Sequence, residues 1–258
     1  VEKVSYSVDE YGVALLKISN PPMNTLDEVV MSQMEDCLRR IPTDEAVKVV
    51  VITGDGPTFV VGADVNAVNA VDTFEKGVEA TSKAQEILNL IESSRKPFIA
   101  AINGMCLGGG TELALACHMR IAAEGAQMGL PEIMLGIMPG FGGTQRMTRL
   151  LGTARALEYM LTAKFIGMKE AERVGLVNRV VPDADLLAEV AKLAKSISKK
   201  GQIAVRSIVE AAVDGGKMSL EEGLKLESRL FGRIAESEDK KEGIRAFLEK
   251  RKPVFKDR

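Results

Sequence analysis

The sequence predicts an α/β fold that runs into an all-helical C-terminal region. Short apolar runs alternate with amphipathic helical stretches through the first half of the chain. Two of those runs, residues 48–53 (KVVVIT) and 97–102 (PFIAAI), are continuously apolar, as in parallel strands buried on both faces. Beyond Gly142 nearly every stretch carries helical spacing instead.

Taken in order, VALLKI (Val13–Ile18) reads as a strand, ended by the breaker Asn20-Pro21-Pro22. Thr25 with Glu28 has the spacing of a capping box. The helix it predicts puts Val30, Met34, Cys37, Leu38 and Ile41 on one face and stops at Pro42. Strand 48–53, a glycine-containing loop, a helix ending near Ser94 and strand 97–102 follow. Strand, helix, strand, helix implies right-handed βαβ units whose strand ends offer ligand-binding loops. After a short VNRVV run at 177–181, helices are expected over 183–199, 202–213, 219–235 and 239–251. The division is an α/β core with the site in residues 1–195 and a helical region in 196–258.

Composition narrows the function. The 258 residues suffice for one large core with a helical appendage, burying roughly 70% of the extended chain's surface. Apolar residues make up 46% and charged residues 27%, a globular balance; 34 Lys and Arg against 36 Asp and Glu leave a net charge of −2 and no basic footprint for nucleic acid. One histidine, His118, excludes His-rich metal centres, and the scattered Cys37, Cys106 and Cys117 form neither a disulfide framework nor a zinc site. No metal and no membrane is expected. The charged, alternating first residues do not read as a targeting segment, and the cysteine usage fits a reducing compartment. The expectation is a cytoplasmic enzyme, or the mature form of a mitochondrial one.

Three loops carry the chemistry: 59–65 (FVVGADV), 103–112 (NGMCLGGGTE), and 129–132 (GLPE) with 139–146 (PGFGGTQR). The triple glycine opens an apolar helix, so its free N–H groups stand at the positive end of a helix dipole, where an oxyanion would be held. Nucleotide loops are excluded: residues 104–110 do not match G-x-G-x-x-G, and Gly216-Lys217 precedes Met218 rather than Ser or Thr. A Ser-His-Asp hydrolase would need His118, which reads as structural in CHMRIA. Glu112 and Glu132 remain. An acidic residue in a helix's first turn is ordinary, but both lie in apolar, glycine-rich surroundings, where burial would raise a carboxyl pKa and fit it for proton transfer.

GADVN, GMCLGGGTELALAC, GLPEIMLGIMPGFGGTQRM and KKEGIRAFLEKRKPVFKD together resemble the enoyl-CoA hydratase/isomerase (crotonase) family across essentially the whole chain. The resemblance implies a crotonase-like spiral of ββα units with a helical C-terminal trimerisation region. It also implies a homohexamer built as a dimer of trimers, or a trimer. It implies an acyl-CoA thioester as substrate, CoA being part of the substrate and no cofactor being needed. By motif, the thioester oxygen falls to the N–H groups of Ala63 and Gly109. Asp64, Val65 and Asn66 would line the pantetheine region with Ala63, and Phe231 and Lys250 match positions that reach CoA, in some relatives across a subunit boundary.

Hydratases of the family carry both glutamates and many isomerases only the second. Glu112 and Glu132 together therefore imply hydration of a trans-2-enoyl-CoA to a (3S)-3-hydroxyacyl-CoA, as in fatty-acid β-oxidation or related acyl-CoA catabolism. The alternatives are an enoyl-CoA isomerase or a dehydratase of a branched or cyclic acyl-CoA, and, from another class, a non-catalytic or RNA-associated scaffold. Two departures stand out. His118 replaces the Asp usual in the family's C-D-x-R-I-A run, and residues 20–24 (NPPMN) are closer to the hydratase part of multifunctional fatty-acid oxidation proteins.

Overall fold

The computed structural model describes every residue, Val1–Arg258. The chain begins with β1 (Val4–Val8), β2 (Val13–Ile18), α1 (Glu28–Arg40), β3 (Val49–Gly54), β4 (Thr58–Val61), α2 (Val65–Asn69) and α3 (Phe74–Glu92). There follow β5 (Phe98–Ile102), β6 (Met105–Leu107), α4 (Gly109–Ala116), β7 (Met119–Ala123), β8 (Gln127–Gly129), α5 (Gly143–Leu151), α6 (Thr153–Leu161), β9 (Ile166–Gly167), α7 (Met168–Arg173) and β10 (Arg179–Val181). Four helices end the chain: α8 (Leu186–Ser198), α9 (Gln202–Gly215), α10 (Leu220–Ala235) and α11 (Glu238–Leu248). None of them is long and apolar enough to cross a membrane.

The strands form two sheets. Six build the order β1-β2-β3-β5-β7-β10, parallel except for the β1–β2 hairpin, and four build β4-β6-β8-β9, in which only β9 runs antiparallel. The pairs β3–β4, β5–β6 and β7–β8 each give their first strand to the large sheet and their second to the small one. Repeated three times, that step is a ββα spiral. All residues of β3 and β5 are buried, as their unbroken apolar runs require. Across β2, β3, β5 and β7 lies α8, while α1 packs on α3 and α4 on β4 and β6.

Between sheets the corners must be tight, and glycine makes them so. A Cβ on Gly104 would stand 1.9 Å from the Pro57 carbonyl oxygen, and one on Gly110 2.0 Å from that of Val60. Successive turns of the spiral thus touch backbone to backbone. Two asparagine amides, the buried Asn24 and the half-buried Asn103, fasten the β3–β4 corner. Asn24 donates to the carbonyls of Asp55, Thr58 and Phe59 (2.9, 3.0 and 3.2 Å), and Asn103 to those of Gly56 and Thr58 (2.9 and 3.1 Å).

Helix α1 corrects one expectation. Its N-cap is Asp27, whose Oδ1 accepts the Val30 N–H at 2.9 Å, rather than Thr25. Asp27 also pairs with Lys3 of the strand region, a contact that sequence spacing along the helix does not reveal. His118 is structural: Nδ1 accepts the Phe98 N–H at 2.9 Å, Nε2 faces the Glu92 carbonyl at 3.3 Å, and burial lowers its pKa.

The last helices cover themselves incompletely. Helices α9 and α10 pack on each other and meet the core through Arg95, which pairs with Asp214 (2.6 Å) and Glu210 (3.5 Å). Leu220, Leu224, Phe231, Phe247 and Leu248 stay exposed, Phe247 by 82%.

The corner argument is testable. Gly104→Ala should lower the free energy of unfolding by about 1–3 kcal/mol, because its methyl meets a fixed backbone carbonyl. Gly167→Ala, where a Cβ meets nothing within 4 Å, should stay within about 0.5 kcal/mol of the parent. Urea unfolding at one fixed protein concentration checks both.

Candidate active site

The register of the small sheet assembles the site. Val61 pairs with Leu107 and Leu107 with Gly129, so β4, β6 and β8 end side by side. One further bond joins each pair: Gly62 N–H to Leu107 O (2.8 Å) and Gly108 N–H to Gly129 O (2.9 Å). Both glycines then turn in the left-handed region, with φ of 71° and 53°, which a side chain would disfavour. The chain leaves the sheet as Ala63, as Gly109 and as Leu130-Pro131-Glu132.

Two backbone donors are free there. The Ala63 N–H meets no acceptor in the chain. Gly109 is the first residue of α4, where a helix offers no acceptor, and its cap Gly108 supplies no side chain. Gly109 is enclosed as well: a Cβ would lie 3.2 Å from Leu26 and 3.4 Å from the Phe141 ring.

The carboxyls stand beside these donors. Glu112, one turn into α4, is only 2% exposed. Its Oε1 accepts the N–H groups of Phe141 (2.8 Å) and Gly143 (2.7 Å), and its other oxygen has no protein partner. Burial raises its pKa, against those two N–H bonds and the Arg146 cation. Glu132 opens a 3₁₀ turn, Glu132–Leu135, and its Oε1 lies 3.3 Å from where a Cβ on Gly108 would be. Its Oε2 is buried with no hydrogen-bond partner. Burial, reinforced by the charge of Glu112, pushes the Glu132 carboxyl up to about 7. Two carboxyls of raised pKa and two free N–H donors therefore share a cleft of about 1580 Å³.

The cleft is lined by Ala63, Val65, Gly109, Glu112 and Glu132 among the expected residues. Asp64 and Asn66 are not on its wall; Asp64 caps α2, accepting from the Asn66 N–H at 2.9 Å. Phe231 on α10, 69% exposed, and Lys250 beyond α11 also lie off the cleft of their own chain. Sequence reasoning missed Leu26, the apolar rim of Met134, Leu135 and Met138, and Arg146 with Glu92 and Asn89. The rim had a signal, an apolar run between two glycine loops. Arg146 closes the 139–146 segment that the sequence singles out, but nothing in that segment tells its role.

Comparison with known proteins covers the whole chain. The family model described as enoyl-CoA hydratase/isomerase matches residues 9–258. A protein of Syntrophomonas wolfei called crotonyl-CoA hydratase is 44% identical over 248 residues, 95% of each chain. One of Clostridium acetobutylicum called short-chain-enoyl-CoA hydratase is 38% identical over 252 residues, 96% of each. The crystal structure of an enoyl-CoA hydratase from Bacillus anthracis superposes with a TM-score of 0.95 at 37% identity, covering 100% of both chains.

The raised pKa of Glu132 has a consequence for stability. The folded chain holds this proton up to about pH 7 while the unfolded chain releases it near 4.5, so folding is progressively penalised as pH rises through that window. Glu132→Gln removes the penalty. Its stability relative to the parent should therefore climb between pH 4.5 and 7 and level off above; urea midpoints at pH 4.5, 6 and 8 check this, and a flat difference would contradict the burial of the carboxylate.

Proposed function

The chain belongs to the enoyl-CoA hydratase/isomerase family, and on that premise we propose that it adds water across the double bond of a trans-2-enoyl-CoA to give a (3S)-3-hydroxyacyl-CoA. The observation that carries the reading is a buried carboxyl, Glu112, and a half-buried one, Glu132, beside two unpartnered N–H groups in one cleft. The names of the relatives, which include crotonyl-CoA hydratase, support it from outside.

The reaction follows from that geometry. Ala63 and Gly109 donate their N–H groups to the thioester oxygen and stabilise the negative charge that gathers there as C3 is attacked. Glu112, with Oε1 fixed by two N–H bonds, acts in its carboxylate form, using Oε2 to orient a water and accept its proton. The hydroxide so formed bonds to C3. Glu132, protonated near neutral pH, delivers its proton to C2. One water is consumed, and passage of the proton from Glu112 back to Glu132 restores the pair. The thioester carbonyl is the electron sink, so no cofactor or metal is assigned a step.

Within this reading Asp64, Val65 and Asn66 accompany the pantetheine arm, Val65 from the cleft wall. Phe231 and Lys250 are assigned to CoA held by a neighbouring subunit, since both are exposed away from their own cleft. We take the assembly as a trimer or a dimer of trimers, which would cover the apolar side chains of α10 and α11. The location we assign is cytoplasmic, in keeping with three buried, unpaired cysteines, and the role is acyl-CoA catabolism such as fatty-acid oxidation.

Hydration needs both carboxyls at once, whereas moving a double bond needs one. Glu112→Gln and Glu132→Gln should each reduce hydration of crotonyl-CoA by about 10²–10⁴, with a double variant far from additive. Loss of the conjugated enoyl-thioester absorbance measures it; a folded Glu112→Gln with unchanged hydration would replace this reading by isomerisation.

The assembly has its own check. Sedimentation at micromolar concentration should give a trimer or larger, and a stable species at the 27.8 kDa of one chain would refute it.

A further inference from the structure

Glu112 owes both of its hydrogen bonds to one loop, the segment from Pro139 to Gly143, and that loop does not hold itself. Gly142 turns with φ of 107°, and the Arg146 guanidinium fills the space above it, 2.4 Å from where a Cβ would be. Arg146 donates to the Phe141 carbonyl at 2.9 Å, so the residue whose N–H binds Glu112 is gripped at its own carbonyl, in the peptide that follows. The guanidinium is in turn fixed by α3: Nε to Glu92 at 2.7 Å and Nη2 to Asn89 at 2.7 Å, with the side chain 12% exposed. Lys217, in the turn between α9 and α10, takes the other oxygen of Glu92 at 2.8 Å. From α3, Gln85 also binds the Gly140 carbonyl at 2.7 Å.

We propose that Arg146 is a positioning residue for Glu112: it holds the 139–143 loop so that two N–H groups converge on Oε1, which leaves Oε2 free to orient the water. This rests on the hydratase reading for its kinetic consequence but not for its structural one. The charged groups that face Glu112 are Glu132, from the 3₁₀ turn, and Arg146, from α5. Glu92 of α3 and Lys217 reach it only through Arg146. Removing the Arg146 charge and loosening the loop both disfavour the ionised carboxyl, so the pKa of Glu112 should rise.

The experiment compares Arg146→Gln, Arg146→Lys and the parent by crotonyl-CoA kinetics against pH and by infrared titration of the Glu112 carboxyl, identified as the band lost in Glu112→Gln. For Arg146→Gln we expect kcat to fall about 10–10²-fold with KM little changed. The Glu112 titration and the acidic limb of kcat should both move upward by about one unit. Arg146→Lys keeps the charge but loses the fork, and should return the titration toward the parent while restoring kcat in part. A folded Arg146→Gln with parental kcat and an unmoved Glu112 band overturns the proposal. If Arg146→Gln does not fold, Arg146→Lys decides: parental kcat and an unmoved band make the fork dispensable and overturn it, and a lowered kcat with the band kept near the parental position supports it. If the parent itself does not hydrate crotonyl-CoA, the functional reading falls and the infrared shift alone decides the role of Arg146.

Discussion

The register of three short parallel strands is the constraint on which the rest depends. Val61, Leu107 and Gly129 are paired across β4, β6 and β8, and each strand is only three or four residues long. A slip of one residue would turn the following glycine out of its left-handed place and carry a free N–H away from its neighbour. Such short strands cannot fix their own register. The large sheet does it for them, because each short strand continues from a long buried one through a corner where backbone meets backbone. The side chain of Thr111 adds a lock, its one hydroxyl proton shared between the Cys106 and Gly129 carbonyls and its oxygen accepting the Gly129 N–H.

Once that register holds, the electrostatics of the site follow from what is left unpaired. Burial raises the pKa of Glu112, and its two backbone donors work against that shift. Glu132 has a buried oxygen with none, and a neighbouring carboxyl of like charge, which favour its acid form. The two groups differ by their surroundings, not their chemistry. In the proposed reaction one residue type serves as both base and acid, and the 139–143 loop is what distinguishes the surroundings of the two.

The sequence revealed most of this in the places where a local pattern exists. Unbroken apolar runs marked β3 and β5, helical spacing marked α1 and the C-terminal helices, and glycine-rich loops at strand ends marked where free N–H groups lie, with Ala63 and Gly109 singled out only through the family resemblance. The small sheet was not legible: β4, β6 and β8 were read as parts of loops, since three residues have no periodicity to detect. The cap of α1 lies two residues beyond the expected one because the Thr25–Glu28 spacing imitates a capping box while Asp27 accepts the Val30 N–H. The role of Arg146, at the end of the 139–146 segment, and its partners Asn89 and Glu92 are not legible, as their meaning arises only when α3 and α5 come together.

Local preference and global fold disagree most at the site itself. Gly62 and Gly108 take positive φ at strand ends, and Glu132 buries an oxygen without a partner. Each is unfavourable taken alone: glycine for the chain entropy it loses on ordering, the carboxyl for the hydration it gives up. They persist because the corners, the ladder and the Arg146 fork over-determine the backbone around them. A side chain at Gly108 would meet Glu132 on one side and Gly62 on the other, at 3.3 and 3.4 Å. Free donors and a proton-bearing carboxyl can therefore stand this close only where the backbone carries no side chain to separate them.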